Sequence, residues 1–151
     1  MLFRLVVALV LGALLGLERE LVGKTAGLRT EMLVAAGATL FSMAGLALPY
    51  IVAAGTGNLA DVIARNSGFL TMIGNIVVGI GFLGAGLIIK TEDQPHGITT
   101  AALVWTTASI GILVGIGMIE LAAIATVLIT ALLYVMRKVS ISQAHRREEK
   151  G

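Results

Sequence analysis

Apolar residues run almost unbroken over five stretches, Leu2 to Leu17, Met32 to Val52, Phe69 to Ile89, Ile98 to Gly117 and Met118 to Met136, with charge and turn residues gathered between them. About 20 mainly apolar residues in helical form cross the roughly 30 Å hydrocarbon layer of a bilayer, and a helix satisfies its own backbone polar groups there. The pattern therefore predicts an all-α fold, a membrane bundle of five transmembrane helices over residues 1–136, followed by a basic tail over 137–151. The first run is short and is expected to continue through Glu18, its charged ends reaching outward to the interface. A cleaved leader is the rival reading of residues 1–17, but its basic region would be Arg4 alone and Gly16-Leu17-Glu18 suits cleavage poorly.

Composition agrees with the pattern. Hydrophobic residues make up 57% of the 151 and charged residues 13%, about half the charged share of a soluble domain. Mean hydropathy is +0.96. A chain this short could not hide so much apolar surface from water. Between Met32 and Ile89 the charged residues are Asp61 and Arg65, and between Ile98 and Met136 there is Glu120 alone. Cysteine is absent, which excludes a disulfide scaffold and thiolate chemistry. The two histidines and the few acids form no group at zinc-ligand spacing. Neither a metal nor a cofactor is assigned, and no nucleic-acid partner is expected.

The side of each loop follows from where lysine and arginine fall. With the N-terminus outside and the C-terminus cytoplasmic, the inner side holds Arg19, Lys24, Arg29, Lys90, Arg137, Lys138, Arg146, Arg147 and Lys150, and the outer side Arg4 and Arg65. Nine against two favours that orientation. The outer loop from Ala53 to Gly68 is expected to carry a short interfacial helix, capped by Asn58, with an Asp61–Arg65 pair and with Leu59, Val62 and Ile63 toward the bilayer. The tail from Arg137 is expected to be a frayed helix end near anionic lipid.

The 19 glycines bear on assembly. Helices in lipid lack a hydrophobic drive to associate and rely on small residues that let backbones approach. In the first span Ala8, Gly12 and Gly16 form a stripe that leads to Arg19. In the third, Gly74, Gly81 and Ala85 share one face, Asn75, Gly79 and Gly86 a second, and Gly84 lies on another, so this span is expected at the centre of the bundle. The fourth has two faces, one of Thr99, Ala102, Thr106 and Ser109 and one of Thr100, Thr107, Gly111 and Gly115. Hydroxyls on such helices mostly bond back to their own backbone or to a neighbour; the functional reading is a polar lining within the membrane built from Asn75, Thr106 and Ser109. A homo-oligomer formed through the glycine faces is expected. Gly79-Ile80-Gly81-Phe82-Leu83-Gly84 matches the dinucleotide fingerprint, but no acid lies about 20 residues on and no soluble parallel sheet surrounds it.

Most ionisable residues gather at the cytoplasmic end. Glu18, Arg19 and Glu20 end the first span, Arg29, Thr30 and Glu31 open the second, Lys90 closes the third, and Thr99 and Thr100 open the fourth. One reading is a set of interfacial ion pairs that fix topology, with Glu31 and Glu120 each favoured in a first helical turn by the dipole. The other is a polar pocket between the first, second and fourth spans. Its carboxylates suit a hydrated cation and its arginines and helix N-termini an anion, and the residues alone leave the sign open. No nucleophile, base and orienting acid come together, so no enzymatic activity is expected.

Gly16-Leu17-Glu18-Arg19-Glu20, Gly27-Leu28-Arg29-Thr30, the glycine run Val78 to Gly86, and Gly97-Ile98-Thr99-Thr100-Ala101-Ala102 followed by Trp105 resemble, in order and spacing, the MgtC/SapB family of membrane proteins. The sequence departs from many members at Asn75, where they have glutamine, and at Thr99, where the member that restrains ATP synthase has asparagine. The resemblance implies a multi-pass protein of the bacterial inner membrane with about five spans. It also implies a regulator linked to low-magnesium growth and, in pathogens, to virulence, with partners such as ATP synthase or a transporter. A small channel or transporter for Mg²⁺ or another solute is the alternative. Longer members carry a soluble C-terminal domain, which is not expected before Gly151.

Overall fold

A computed structural model of the chain describes the backbone at all positions except 57–58, 66–67, 92–93 and 149–151. Side chains are described except at those positions and at 55–56, 59, 63, 65, 68–69, 90–91, 94 and 140–148. The elements are α1 (Leu2–Leu21), α2 (Leu28–Thr56), α3 (Leu59–Arg65), α4 (Gly68–Leu87), β1 (Ile89–Thr91), β2 (Gln94–His96), α5 (Ile98–Ile116) and α6 (Ile119–Glu148). Among the described residues, four segments, Leu28–Ala54, Leu70–Leu87, Ile98–Ile116 and Ile119–Val139, are long and apolar enough to cross a membrane. α1 has 20 residues, about 30 Å of helix, but Arg4, Glu18, Arg19 and Glu20 shorten its apolar part.

α1, α2 and α6 extend beyond the apolar runs, because helix propagation adds a hydrogen bond with each residue fixed and does not stop where polarity rises. α2 begins at Leu28, which brings Arg29, Thr30 and Glu31 inside it. α6 continues through the basic tail to Glu148 without a break. α3 occupies the outer-loop position expected for a short helix. The Asn58 cap and the side chains of Leu59, Ile63 and Arg65 lie outside the described residues. β1 and β2 form an antiparallel hairpin, Ile89 opposite His96 and Thr91 opposite Gln94, which the apolar pattern gave no reason to expect.

α5, not the glycine-rich α4, is the centre of the chain. Of the apolar window, 61% is buried in α5 and 6% in α4. α5 contributes Leu103, Ile110 and Val114 to a core shared with Ala8, Leu11 and Leu15 of α1, Ala35 of α2 and Ala122 of α6. Its other side sends Val104, Ala108 and Ile112 into a second core with Val34 and Ala38 of α2 and Ile76 of α4. Small residues on many sides of a helix permit close neighbours without supplying them. Among the described residues, a Cβ at Gly74, Gly79, Gly81 or Gly86 would meet nothing within 4 Å, whereas one at Gly84 would lie 3.7 Å from the Ala101 Cβ.

The tight contacts lie on α1 and α5, where each crosses α2. A Cβ on Gly12 would stand 2.7 Å from the Glu31 carbonyl oxygen, and one on Gly16 would stand 2.6 Å from the Leu28 Cα. At Gly115 it would be 2.5 Å from the Ser42 Cβ, and at Gly111 it would run into the Ala35 carbonyl oxygen. The Thr39 hydroxyl donates to the Gly111 carbonyl at 2.8 Å across this contact. α5 is bounded by two left-handed glycines, Gly97 (φ 88°) and Gly117 (φ 100°), a conformation that costs other residues steric energy. At the Gly117 end the Arg4 Nη1 donates to the Gly115 carbonyl at 2.8 Å, placing positive charge on an unpaired helix C-terminus.

Candidate functional site

The charged end of the bundle, where α1 finishes and α2 and α5 begin, divides the expected cluster into three places. On α1, Glu18 accepts from the Arg19 Nε at 3.2 Å. The Glu20 carboxylate instead reaches over the α1–α2 turn and accepts from the Leu28 N–H at 2.9 Å, capping a helix N-terminus that would otherwise present unpaired donors. Arg29 and Thr30 face away from both, into a groove of about 700 Å³ between α2 and α4. Asn75 and Gly79 line that groove from the α4 side, with Leu33, Val34 and Phe41 from α2.

The third place is a cavity of about 570 Å³ around the start of α5, lined in part by Arg19, Lys24, Thr25, His96, Thr99 and Thr100. The hairpin closes one side, and Gly97, with its Leu87 carbonyl contact, brings the end of α4 against the start of α5. Of the expected residues, Arg19, Thr99 and Thr100 therefore meet. The Lys90 backbone is in β1, and its side chain lies outside the described residues.

Behind Arg19 lies a buried polar core. Glu31 and Thr107 are fully buried, Thr100 is 4% exposed and Arg19 is 6% exposed. Thr107 and Arg19 are the polar groups beside the Glu31 carboxylate. Both Glu31 oxygens, the Thr107 hydroxyl and the Arg19 Nη1 have no hydrogen-bond partner among the described residues. Buried polar atoms are nearly always paired; the Thr107 hydroxyl lies beside the Glu31 carboxylate and can serve it, which leaves the Arg19 Nη1 as the group still to be matched. Within the described residues no group of three His, Cys, Asp or Glu could hold a metal.

From sequence alone Glu31 has only a helix-dipole role and Lys24 bears only on topology. The usable signal for Glu31 was spacing: Glu31, Ala35, Ala38, Thr39 and Ser42 recur at helical intervals and are all buried, which is the face that meets Gly111 and Gly115. The opposite polar face of α5 is spent locally. Thr106 donates to the Ala102 carbonyl at 2.8 Å and Ser109 to the Thr106 carbonyl at 2.6 Å. Ser109 lines a cavity of only about 30 Å³ with Val77 and Ile80. Thr106 and Ser109 thus bond within their own turns of α5, while Asn75 lines the groove between α2 and α4.

The sequence has relatives among known proteins. The MgtC family pattern matches residues 5–141. The chain belongs to the MgtC family. Protein MgtC of Brucella suis is 38% identical over 130 residues, covering 86% of this chain and 48% of that protein. SrpB of Synechococcus elongatus is 39% identical over 132 residues, covering 82% of this chain and 68% of SrpB. YhiD of Escherichia coli K12, whose name classes it among candidate magnesium transporters, is 34% identical over 140 residues, covering 91% of this chain and 60% of YhiD. The chain spans about half the length of the MgtC proteins it matches. No solved structure matches it. The MgtC-family match runs from α1 into α6, so the cavity at the start of α5 and the Arg19–Glu31–Thr107 core lie within the family region.

Proposed function

We propose that this MgtC-family chain is a five-span protein of a bacterial inner membrane, N-terminus outside and C-terminus cytoplasmic. On this reading it is a non-enzymatic regulator linked to magnesium homeostasis and low-magnesium adaptation. It acts by helix contact, first with further copies of itself and through them with another membrane protein such as ATP synthase or a transporter. Support for the fifth span is the length of α1 together with the neutralisation of Arg4 at the end of α5. Support for the orientation is the excess of lysine and arginine on one side.

The observation that carries helix contact as the mode of action is the bare glycine surface of α4. Glycine weakens a helix by about 1 kcal/mol relative to alanine, and in lipid it offsets this only when another backbone comes close. Gly12, Gly16, Gly111 and Gly115 have such neighbours within the chain; Gly74, Gly79, Gly81 and Gly86 do not. A second copy supplies the same short-side-chain surface and lets two α4 helices meet. A transport path through Asn75, Thr106 and Ser109 has less support, since the Thr106 and Ser109 hydroxyls are bonded to their own helix.

The absence of native cysteine makes the test clean. Val78, which is exposed on α4, is replaced by cysteine and oxidised in native membranes; a cross-linked dimer is expected, and Gly81→Leu should abolish it and remove growth in low magnesium. Failure to cross-link from Val78 and its neighbours along α4, or full low-magnesium growth of the Gly81→Leu strain, refutes the proposal. Mg²⁺ flux in reconstituted vesicles would favour the transporter instead.

A further inference from the structure

The cavity at the start of α5 is electrostatically one-sided. Arg19, which is also paired with Glu18 at 3.2 Å, and Lys24 line it, Thr25, Thr99 and Thr100 add hydroxyls, and no carboxylate lines it among the described residues. It also receives the N-terminus of a 19-residue helix, whose aligned peptide dipoles place partial positive charge there. The Ala101 N–H reaches back to the Gly97 carbonyl at 2.9 Å, so the amides of Ile98, Thr99 and Thr100 come before the first intrahelical acceptor. Gly97 offers them no side-chain cap.

Arg19 is an independent indication. It lines the same cavity, is 6% exposed, and keeps Nη1 without an acceptor. Glu18 engages only its Nε, and Glu31 approaches from the inner side without bonding. A desolvated guanidinium with a free arm is costly unless an acceptor completes it. A divalent cation would meet two like charges here, whereas a tetrahedral oxyanion matches both the guanidinium fork and converging helix amides.

We propose that this cavity binds a phosphate-bearing anion, held by Arg19, Lys24 and the first amides of α5. Its volume, about 570 Å³, is in the range of small-molecule sites and admits a phosphate with a substituent. At the end of a membrane bundle that chemistry has two sources, a phospholipid headgroup and a soluble phosphate. This inference goes beyond the regulatory reading and does not depend on it.

The full chain in neutral detergent is titrated calorimetrically with inorganic phosphate, and separately tested by native mass spectrometry for retention of phosphatidylglycerol over diacylglycerol. Saturable phosphate binding identifies a soluble source, and selective lipid retention identifies a headgroup; either supports the site. Lys24→Glu, on an exposed turn, should weaken whichever ligand binds by about tenfold, the range expected for one charge-assisted contact, and Arg19→Gln should do at least as much. Chloride at equal ionic strength should not compete. Binding of neither ligand, or affinities unchanged within about twofold in both variants, overturns the proposal.

Discussion

Replacing Gly111 by alanine adds one methyl group at the closest approach of α5 to α2. The new Cβ would overlap the Ala35 carbonyl oxygen and stand 2.9 Å from the Ala38 Cβ and 3.1 Å from the Ala35 carbonyl carbon. Carbon atoms in ordinary contact lie about 3.5–4.0 Å apart, and a backbone carbonyl cannot rotate aside, so the helices must separate by on the order of an ångström. Overpacking of this kind costs about 1–3 kcal/mol. Separation also stretches the Thr39 to Gly111 hydrogen bond, now 2.8 Å, and interhelical bonds in membranes contribute up to about 1–2 kcal/mol. Opposing both is the helix-propensity gain of alanine over glycine, about 1 kcal/mol. The net expectation is a loss of about 1–3 kcal/mol. Gly37 is the control: it sits on α2 with nothing within 4 Å, so Gly37→Ala keeps the propensity gain without the clash and should be neutral or stabilising. Unfolding in mixed micelles of increasing denaturing-detergent fraction, followed by far-ultraviolet circular dichroism, reads both variants. Effects of the same sign at the two positions would refute the claim that α2 and α5 touch backbone to backbone.

Two further substitutions probe the ends of the bundle. Arg4→Met removes the donor to the Gly115 carbonyl and should lower stability by about 1 kcal/mol in the same assay, with Arg4→Lys recovering part of it by returning the charge to the helix C-terminus. Glu31→Gln should leave stability within about 1 kcal/mol, because the amide keeps an acceptor beside the Thr107 hydroxyl and Arg19 keeps its contact with Glu18; a loss of about 3–5 kcal/mol would instead mean that Glu31 and Arg19 form a true buried ion pair.

The helices were legible because hydrophobic run length in a membrane protein reports directly on helix length, and charge marks the breaks. The Ala8, Gly12 and Gly16 stripe leading to Arg19 was also legible, and those four residues are buried. What sequence could not rank was which small-residue helix sits inside. Both α4 and α5 have small residues on more than one side, and only the partner decides whether that surface is filled. Gly111 and Gly115 meet Ala35, Ala38, Thr39 and Ser42, whereas Gly81 meets nothing among the described residues. At the site, Arg19, Thr99 and Thr100 could be grouped from their places at the span ends. Glu31 could not be singled out, because a first-turn acid looks the same on a wet face as on a buried one until the opposite helix is known. The hairpin at Ile89–Thr91 and Gln94–His96 is too short to show a period, and with it the closing wall of the cavity stayed out of view.

α5 belongs to both cores and touches Arg4 at one end and the polar cavity at the other. Its 19 residues make a rod of about 28 Å, gripped along one side at Gly111 and Gly115 where no slack remains. A rod held at its far end and middle cannot be displaced at its near end without turning about those grips. α4 in turn rests on α5 through Ile76 and Gly84. α5 is thus the strut that sets the distance between the polar cavity and Arg4 and carries α4 on its flank.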